Sequence, residues 1–243
     1  MSIWLGDESR QLAIFGEGNT SAKISDESFF VKASGCELGS LTESQVVEVR
    51  SAGIVEMLRE GEYSGLDMQA GLRRAMAVRS GKLLPSVETL LHAYLLSLPG
   101  VNFVGHTHPV AVNAILCSKG WKTATEKRLM PEEIVCCGIE PAYVEYTNPG
   151  VDLARALRSS VEEYTARLGV RPKVILLQNH GMVALGATPK EVQSITGLWD
   201  KTARVLAGTY SFGGPNYLSD EAACRFACIP DDDQRLKLIQ GLM

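Results

Sequence analysis

Histidine is scarce in this chain, with only four among 243 residues: His92, His106, His108 and His180. Long apolar runs are missing as well. The longest, such as Val174–Leu177 and Met182–Leu185, are far too short to cross a bilayer. There is no excess of basic charge. The 24 Lys and Arg against 28 Asp and Glu leave a formal charge of −4, which offers no electrostatic footprint for nucleic acid or for an anionic membrane. The first residues, Met1-Ser2-Ile3-Trp4-Leu5-Gly6-Asp7-Glu8, lack a basic segment followed by an apolar one, so no export signal is visible and a cytoplasmic location is expected. Cysteines 36, 117, 136, 137, 224 and 228 form no paired framework. No second C-x-x-C or Cys/His knuckle accompanies them, which argues against a structural zinc finger and for reduced thiols. No linker, repeat or low-complexity tract divides the chain, so a single domain over 1–243 is the simplest organisation.

What is present suits a globular core: 45% hydrophobic and 21% charged residues. The first forty residues read as short strands around turns: Leu12–Phe15, then Ser21–Ser25, a Ser25-Asp26-Glu27 turn, and Phe29–Lys32. Thr42 with Gln45 forms a capping-box pattern, predicting a helix that carries Val46, Val47, Val49 and Ile54 to Gly61. Further helices are expected at Gly65–Val78, Val87–Leu98, Pro109–Cys117, Asp152–Leu168 and from Pro189 to about Ala207. The segment Ser80-Gly81-Lys82 should be a loop, and Ser219–Gln240 a helical tail broken at Pro230. Strands are expected at Val101–His106, Ile139–Tyr146, Val174–Gln178 and Met182–Leu185. Strands that come first and then alternate with helices predict a layered α/β fold.

Gly16-Glu17-Gly18-Asn19-Thr20-Ser21 half-matches a dinucleotide fingerprint. That motif must open a helix, whereas a hairpin follows here, so a Rossmann site is rejected. The glycines still permit close backbone approach to something, such as a ligand oxyanion. The chemistry centres on histidine. His106-Thr107-His108 ends an apolar run, and residues i and i+2 of an extended chain share a face, so both imidazoles can reach one ion. His180 lies in Gln178-Asn179-His180-Gly181, a polar break between two apolar runs, which is costly to bury unless paired or ligating. Surface polar residues and a hydrogen-bonding turn histidine are the plain alternatives. Three neutral imidazoles would leave a divalent ion its full charge and an open position, as suits a Lewis acid. Such an ion needs a base nearby. Glu88, in Pro85-Ser86-Val87-Glu88, is the candidate, though a carboxylate at a helix start is also favoured by the dipole alone. His92, at i+4, would orient it or form an ordinary helix-surface pair.

These motifs, in order Gly18-Asn19-Thr20-Ser21, Lys32-Ala33-Ser34-Gly35, Pro85-Ser86-Val87-Glu88 with His92, His106-Thr107-His108-Pro109 and Asn179-His180-Gly181, resemble the class II aldolase/adducin family. The likeness runs from about Gly16 to Ala207. In Gly18–Lys23, Ser34-Gly35 with Leu38-Gly39, and Ser86–Thr89, it is nearest to the aldolase part of bifunctional rhamnulose-phosphate aldolase/alcohol dehydrogenase proteins. A chain of 243 residues leaves no room for the dehydrogenase part.

The resemblance implies a three-layer α/β/α sandwich with a central, largely antiparallel sheet, and a homotetramer with active sites at subunit interfaces. It implies Zn²⁺ held by His106, His108 and His180, with Mn²⁺ and Co²⁺ as alternatives. Glu88 would be the acid/base, a role that a raised pKa would favour. Asn19, Ser34, Gly35 and Ser86 would contact substrate phosphate or enediolate oxygens. The implied reaction is reversible retro-aldol cleavage of a ketose, or ketose phosphate, through a metal-bound enediolate. A tyrosine often assists in the family, and Tyr143, Tyr146, Tyr210 and Tyr217 are the candidates here. Val87 departs from the family pattern by replacing a serine, which removes a hydroxyl from the phosphate cradle. The rival readings are a sugar-phosphate 4-epimerase, dehydratase or decarboxylase of the same fold, and a non-catalytic adducin-like module.

Overall fold

Near-continuous apolar runs build the middle of the sheet, because its strands are covered on both faces. The computed structural model describes residues 1–58, 65–78 and 83–227. Seven strands form one sheet: β1 (Asn19–Lys23), β2 (Ser28–Lys32), β3 (Val46–Arg50), β4 (Phe103–Thr107), β5 (Ala142–Val144), β6 (Val174–Leu177) and β7 (Gly181–Gly186). Their order is β3-β2-β1-β4-β7-β6-β5. Every neighbouring pair is antiparallel except β5 and β6.

Helices cover both faces. On one side lie α2 (Ser51–Met57), α3 (Gly65–Ala75), α4 (Thr89–Leu96) and α8 (Val151–Leu168). On the other lie α1 (Ser2–Leu5), α5 (Val110–Leu116), α6 (Trp121–Thr125), α7 (Pro131–Cys137) and α9 (Pro189–Thr209). A last helix, α10 (Asp220–Ala227), packs beside α7. The strand period of two sorts the side chains. Ile175, Leu177, Val183 and Leu185 enter the first core, and Val174, Leu176, Met182 and Ala184 enter the second. The expected sandwich around a largely antiparallel sheet is therefore what the chain forms.

Two expected elements differ. Thr42 and Gln45 do make a capping box, but it closes only the single 3₁₀ turn Glu43–Gln45. Val46–Arg50 then runs extended as β3, paired with β2 in the register Phe29↔Val49 and Val31↔Val47. β-Branched valines that alternate with Glu48 fit a pleated edge better than a helix. Leu12–Phe15 is not a strand: Gln11 and Phe15 both adopt left-handed backbone, so the segment turns twice. The short helices α1, α6 and α7 were not anticipated. The expected helix end at Gly61, the loop Ser80-Gly81-Lys82, Cys228 and the tail beyond residue 227 lie outside the described residues. Among the described residues, no helix is long and apolar enough to cross a membrane.

Candidate metal centre

Sheet register places the first candidate ligand. His106 on β4 pairs with Asn19 of β1 on one side and Val183 of β7 on the other, so it sits mid-sheet and fully buried. His108 follows two residues later, just past the strand. His180 comes from the β6–β7 hairpin, whose three-residue loop 178–180 needs left-handed backbone at Asn179. Asn113 of α5 pins that loop by donating Nδ2–H to the His180 carbonyl at 3.0 Å. The three rings converge edge to face, with centroids 4.8 to 4.9 Å apart.

Hydrogen bonds fix which ring nitrogen faces inward. His106 Nδ1 lies 3.0 Å from the Met182 carbonyl, which can only accept, so Nδ1 carries a proton and the neutral ring has Nε2 bare. His108 Nδ1 lies 3.0 Å from Glu17 Oε2, with the same consequence. The two Nε2 atoms face each other at 3.0 Å, and donor atoms of all three rings lie within 4.8 Å of one another. Bare lone pairs at that separation repel unless a cation sits between them. A tetrahedral ion with ligand bonds of about 2.0–2.1 Å needs donors roughly 3.3 Å apart. The donor set therefore fits a divalent ion of the zinc type. The Glu17 carboxylate behind His108 is the outer hydrogen bond such sites require.

Glu88 faces the cluster from the start of α4. Its Oε1 is 3.2 Å from His180 Nε2 and 3.6 Å from His106 Nε2. Burial pushes this carboxyl up, but the His106 and His180 imidazoles more than offset burial and hold it well below the usual carboxylate range. A raised value, expected from the proposed acid role, is thus not what the surroundings produce. The group rests ionised. Burial pulls His108 down to about 3, so its ring is neutral and free to ligate. His106 is also pulled down by burial, but Glu88 reverses the balance and leaves it raised.

Four further side chains form a second tier. Strand β1 places Asn19 and Ser21 on one face, two residues apart, beneath Glu88 and His92, which are one helical turn apart. Asn19 Nδ2 donates to Glu88 Oε2 at 2.5 Å, Asn19 Oδ1 meets His92 Nε2, and Ser21 Oγ lies 2.6 Å from His92 Nδ1. His92 is fully buried, so the helix-surface alternative is excluded. Asn19, expected to contact substrate, spends its carbonyl and one N–H inside the protein.

Ser86 Oγ accepts from the Glu88 backbone N–H at 3.3 Å and so caps the chain into α4. Ser34 lines a cleft of about 280 Å³ with Gln69, Leu72, Pro85 and Val87, and Gly35 beside it has left-handed backbone with open space above. The structure thus brings Asn19 and Ser86 against Glu88, and sets Ser34 and Gly35 in the neighbouring turn. Among the tyrosines, Tyr143 accepts from Thr125 and stacks edge-on against Trp121, and Tyr217 donates to Ala124. Tyr146 and Tyr210 are exposed.

Sequence reasoning missed two residues. Glu17 sat in the rejected glycine motif. The glycines there serve the protein itself: a Cβ on Gly18 would lie 2.6 Å from the His106 carbonyl. Lys32 is buried, and its ammonium donates to the carbonyls of Cys36 and Gly16 at 2.5 and 3.4 Å, tying the two site loops together. Its place in Lys32-Ala33-Ser34-Gly35, directly after the apolar Phe29-Phe30-Val31, was the signal, though no role was assigned to it.

The family model for the class II aldolase and adducin N-terminal domain matches residues 7–207. The chain is 24% identical over 244 residues to the oxidoreductase YuxG of Bacillus subtilis (strain 168), itself uncharacterized. That match covers 96% of the chain, which spans about a third (32%) of YuxG's length. Methylthioribulose-1-phosphate dehydratase of Geobacillus kaustophilus is 26% identical over 186 residues, covering 75% of the chain and 77% of that protein. Among solved structures, L-fuculose-1-phosphate aldolase of Thermus thermophilus superposes with a TM-score of 0.61 at 17% identity, covering 88% of this chain and 94% of that one. That likeness speaks for the fold.

Proposed function

The chain belongs to the class II aldolase and adducin N-terminal domain family, and from that premise we propose that it is a metal-dependent aldolase. Its reaction is the reversible retro-aldol cleavage of a ketose, in the first instance a ketose phosphate. The observation that carries this reading is the convergence of three imidazoles, two with Nδ1 held by an acceptor, beside Glu88, whose Oε1 faces His106 and His180. His106, His108 and His180 hold the ion, Zn²⁺ or in its place Mn²⁺ or Co²⁺. When bound, that ion polarises the ketose carbonyl and offsets the charge left on the carbon skeleton by cleavage.

The remaining work falls to the chain. Glu88 Oε1 carries the proton to and from the carbon that loses its neighbour. Resting ionised, it takes the proton of the hydroxyl that becomes the aldehyde carbonyl and returns it to the carbon left by cleavage. Glu17 keeps His108 in the ligating tautomer, and Met182 does so for His106. Ser34, Gly35 and Ser86 receive substrate oxygens, with Asn19 contributing its remaining N–H. No basic side chain lines the described walls of the cleft at Ser34, and Val87 offers no hydroxyl there. The phosphate is thus the least supported part of the substrate. A homotetramer is consistent with the exposed Phe15, Tyr210 and Phe212. Reduced thiols, as expected of a cytoplasmic protein, are consistent with the free cysteines.

A second reading, dehydration of a ketose phosphate, draws support from the methylthioribulose-1-phosphate dehydratase relatives. It needs the same ion and the same proton carrier. Incubating the metal-loaded protein with ketoses, each with and without phosphate, separates the two. Release of dihydroxyacetone phosphate or its unphosphorylated counterpart supports the aldolase. A dehydrated or epimerised product replaces it with the alternative. Glu88→Gln should keep stoichiometric metal and lose about 10²–10⁴-fold in kcat. His106→Ala should lose the metal. Full turnover in the first variant, or full metal binding in the second, would remove that residue's role.

A further inference from the structure

Each hydrogen bond in the tier behind Glu88 has its direction forced by the one before it. An ionised carboxylate only accepts, so the atom of Asn19 at Glu88 Oε2 must be Nδ2. Its other amide atom, Oδ1, only accepts, so His92 Nε2 must carry a proton. With Nε2 protonated and the fully buried ring neutral, Nδ1 is bare and accepts from the Ser21 hydroxyl. Asn19, Ser21 and His92 are each at most 3% exposed, so water does not compete for these bonds.

We propose that His92 is a positioning residue: through Asn19 it locks Glu88 Oε2 in place and leaves Oε1 as the sole oxygen that meets the substrate. This rests on the reading of Glu88 as the proton carrier. A flipped Asn19 would set its carbonyl against the carboxylate and its NH₂ against the His92 N–H, which loses two buried hydrogen bonds at once. The alternation of the chain is what makes the device possible. Two residues along β1 and four along α4 cover nearly the same distance, so the strand pair and the helix pair meet side by side.

Three variants and a spectrum test it. His92→Leu removes both ring nitrogens, whereas His92→Gln can still donate to Asn19 and accept from Ser21. Turnover is followed with the sugar that the wild type cleaves fastest. His92→Leu should lose about 10–100-fold in kcat with KM and metal content nearly unchanged, as expected when a reacting group is slightly misplaced. His92→Gln should recover kcat to within about fivefold of wild type. A ¹⁵N–¹H spectrum of the metal-free wild type should show His92 protonated at Nε2 alone, and Ser21→Ala should keep that tautomer, because Asn19 Oδ1 still requires it. Should His92→Leu fail to fold, Ser21→Ala and the spectrum decide the matter. Wild-type kcat in His92→Leu, or a proton on Nδ1 in the wild type, overturns the inference. If Glu88→Gln is inactive while His92→Leu is fully active, positioning alone has failed. If no sugar is turned over, the functional reading has failed and the spectrum judges His92 by itself.

Discussion

A histidine that must stay neutral in a dry interior ties stability to pH. Burial, then the nearby His106, pull His92 down to about 3 from an ordinary 6.5, while Glu88 opposes them. Below about pH 6.5 the unfolded chain therefore binds a proton that the folded chain refuses. The stability is present in full above that pH and drains away as pH falls toward 3. Between pH 7 and 5 the loss from this residue alone should be on the order of 2 kcal/mol. Urea unfolding of the metal-free protein across that range measures it, and His92→Gln should flatten the slope by about one proton. Equal slopes in variant and wild type would locate the effect elsewhere. At this scale the sequence was legible where spacing carries chemistry. His106 and His108 two apart and His180 in a polar break come together, Glu88 meets His106 and His180, and His92 one turn on reaches Glu88 through Asn19. Glu17 was not legible, because its value depends on reaching His108, 91 positions away.

Elements translate those spacings into positions, and the hairpin β6–β7 does so with least tolerance. A Cβ on Gly181 would lie 2.5 Å from the Thr107 carbonyl and 2.7 Å from His108 Cδ2. Gly181→Ala must push His180 away from its partners. Metal affinity should fall by about 10–100-fold, as when an outer-sphere partner is removed, while the far-ultraviolet circular dichroism stays that of the wild type. Isothermal titration with Zn²⁺ checks this, and unchanged affinity would show that the hairpin can shift without moving the ligand. Helices with strong internal signals, such as α8 with its amphipathic face and α9 with Thr188 capping Glu191, were readable. Residues 46–50 were not. A real capping box precedes them, but pairing with β2 outweighed that local preference, and no residue within 42–50 reports the partner strand. α6 and α7 are five and seven residues long, too short for periodicity to mark.

At the scale of the whole molecule, strand order does what no segment can. It inserts β4 between β1 and β7, so that Asn19, His106 and the His180 hairpin, separated by up to 161 positions, share one end of the sheet. The exposed Phe15 and Phe212, each 91% accessible, leave apolar surface that assembly would cover. Sedimentation equilibrium should return about four times the 26.3 kDa chain mass, and a monomer at micromolar concentration would contradict the tetramer.

The sequence by itself indicated a layered α/β fold and, through the family's motifs taken in order, named His106, His108, His180 and Glu88 as the candidates for one site, since residue type and order carry that much. The tertiary structure alone decided which ring nitrogens meet acceptors, which oxygen of Glu88 faces the histidines, and that Asn19 stands between Glu88 and His92. Those facts depend on hydrogen bonds between strands and helices far apart in the chain, and a linear order of residues does not specify the direction in which such bonds run.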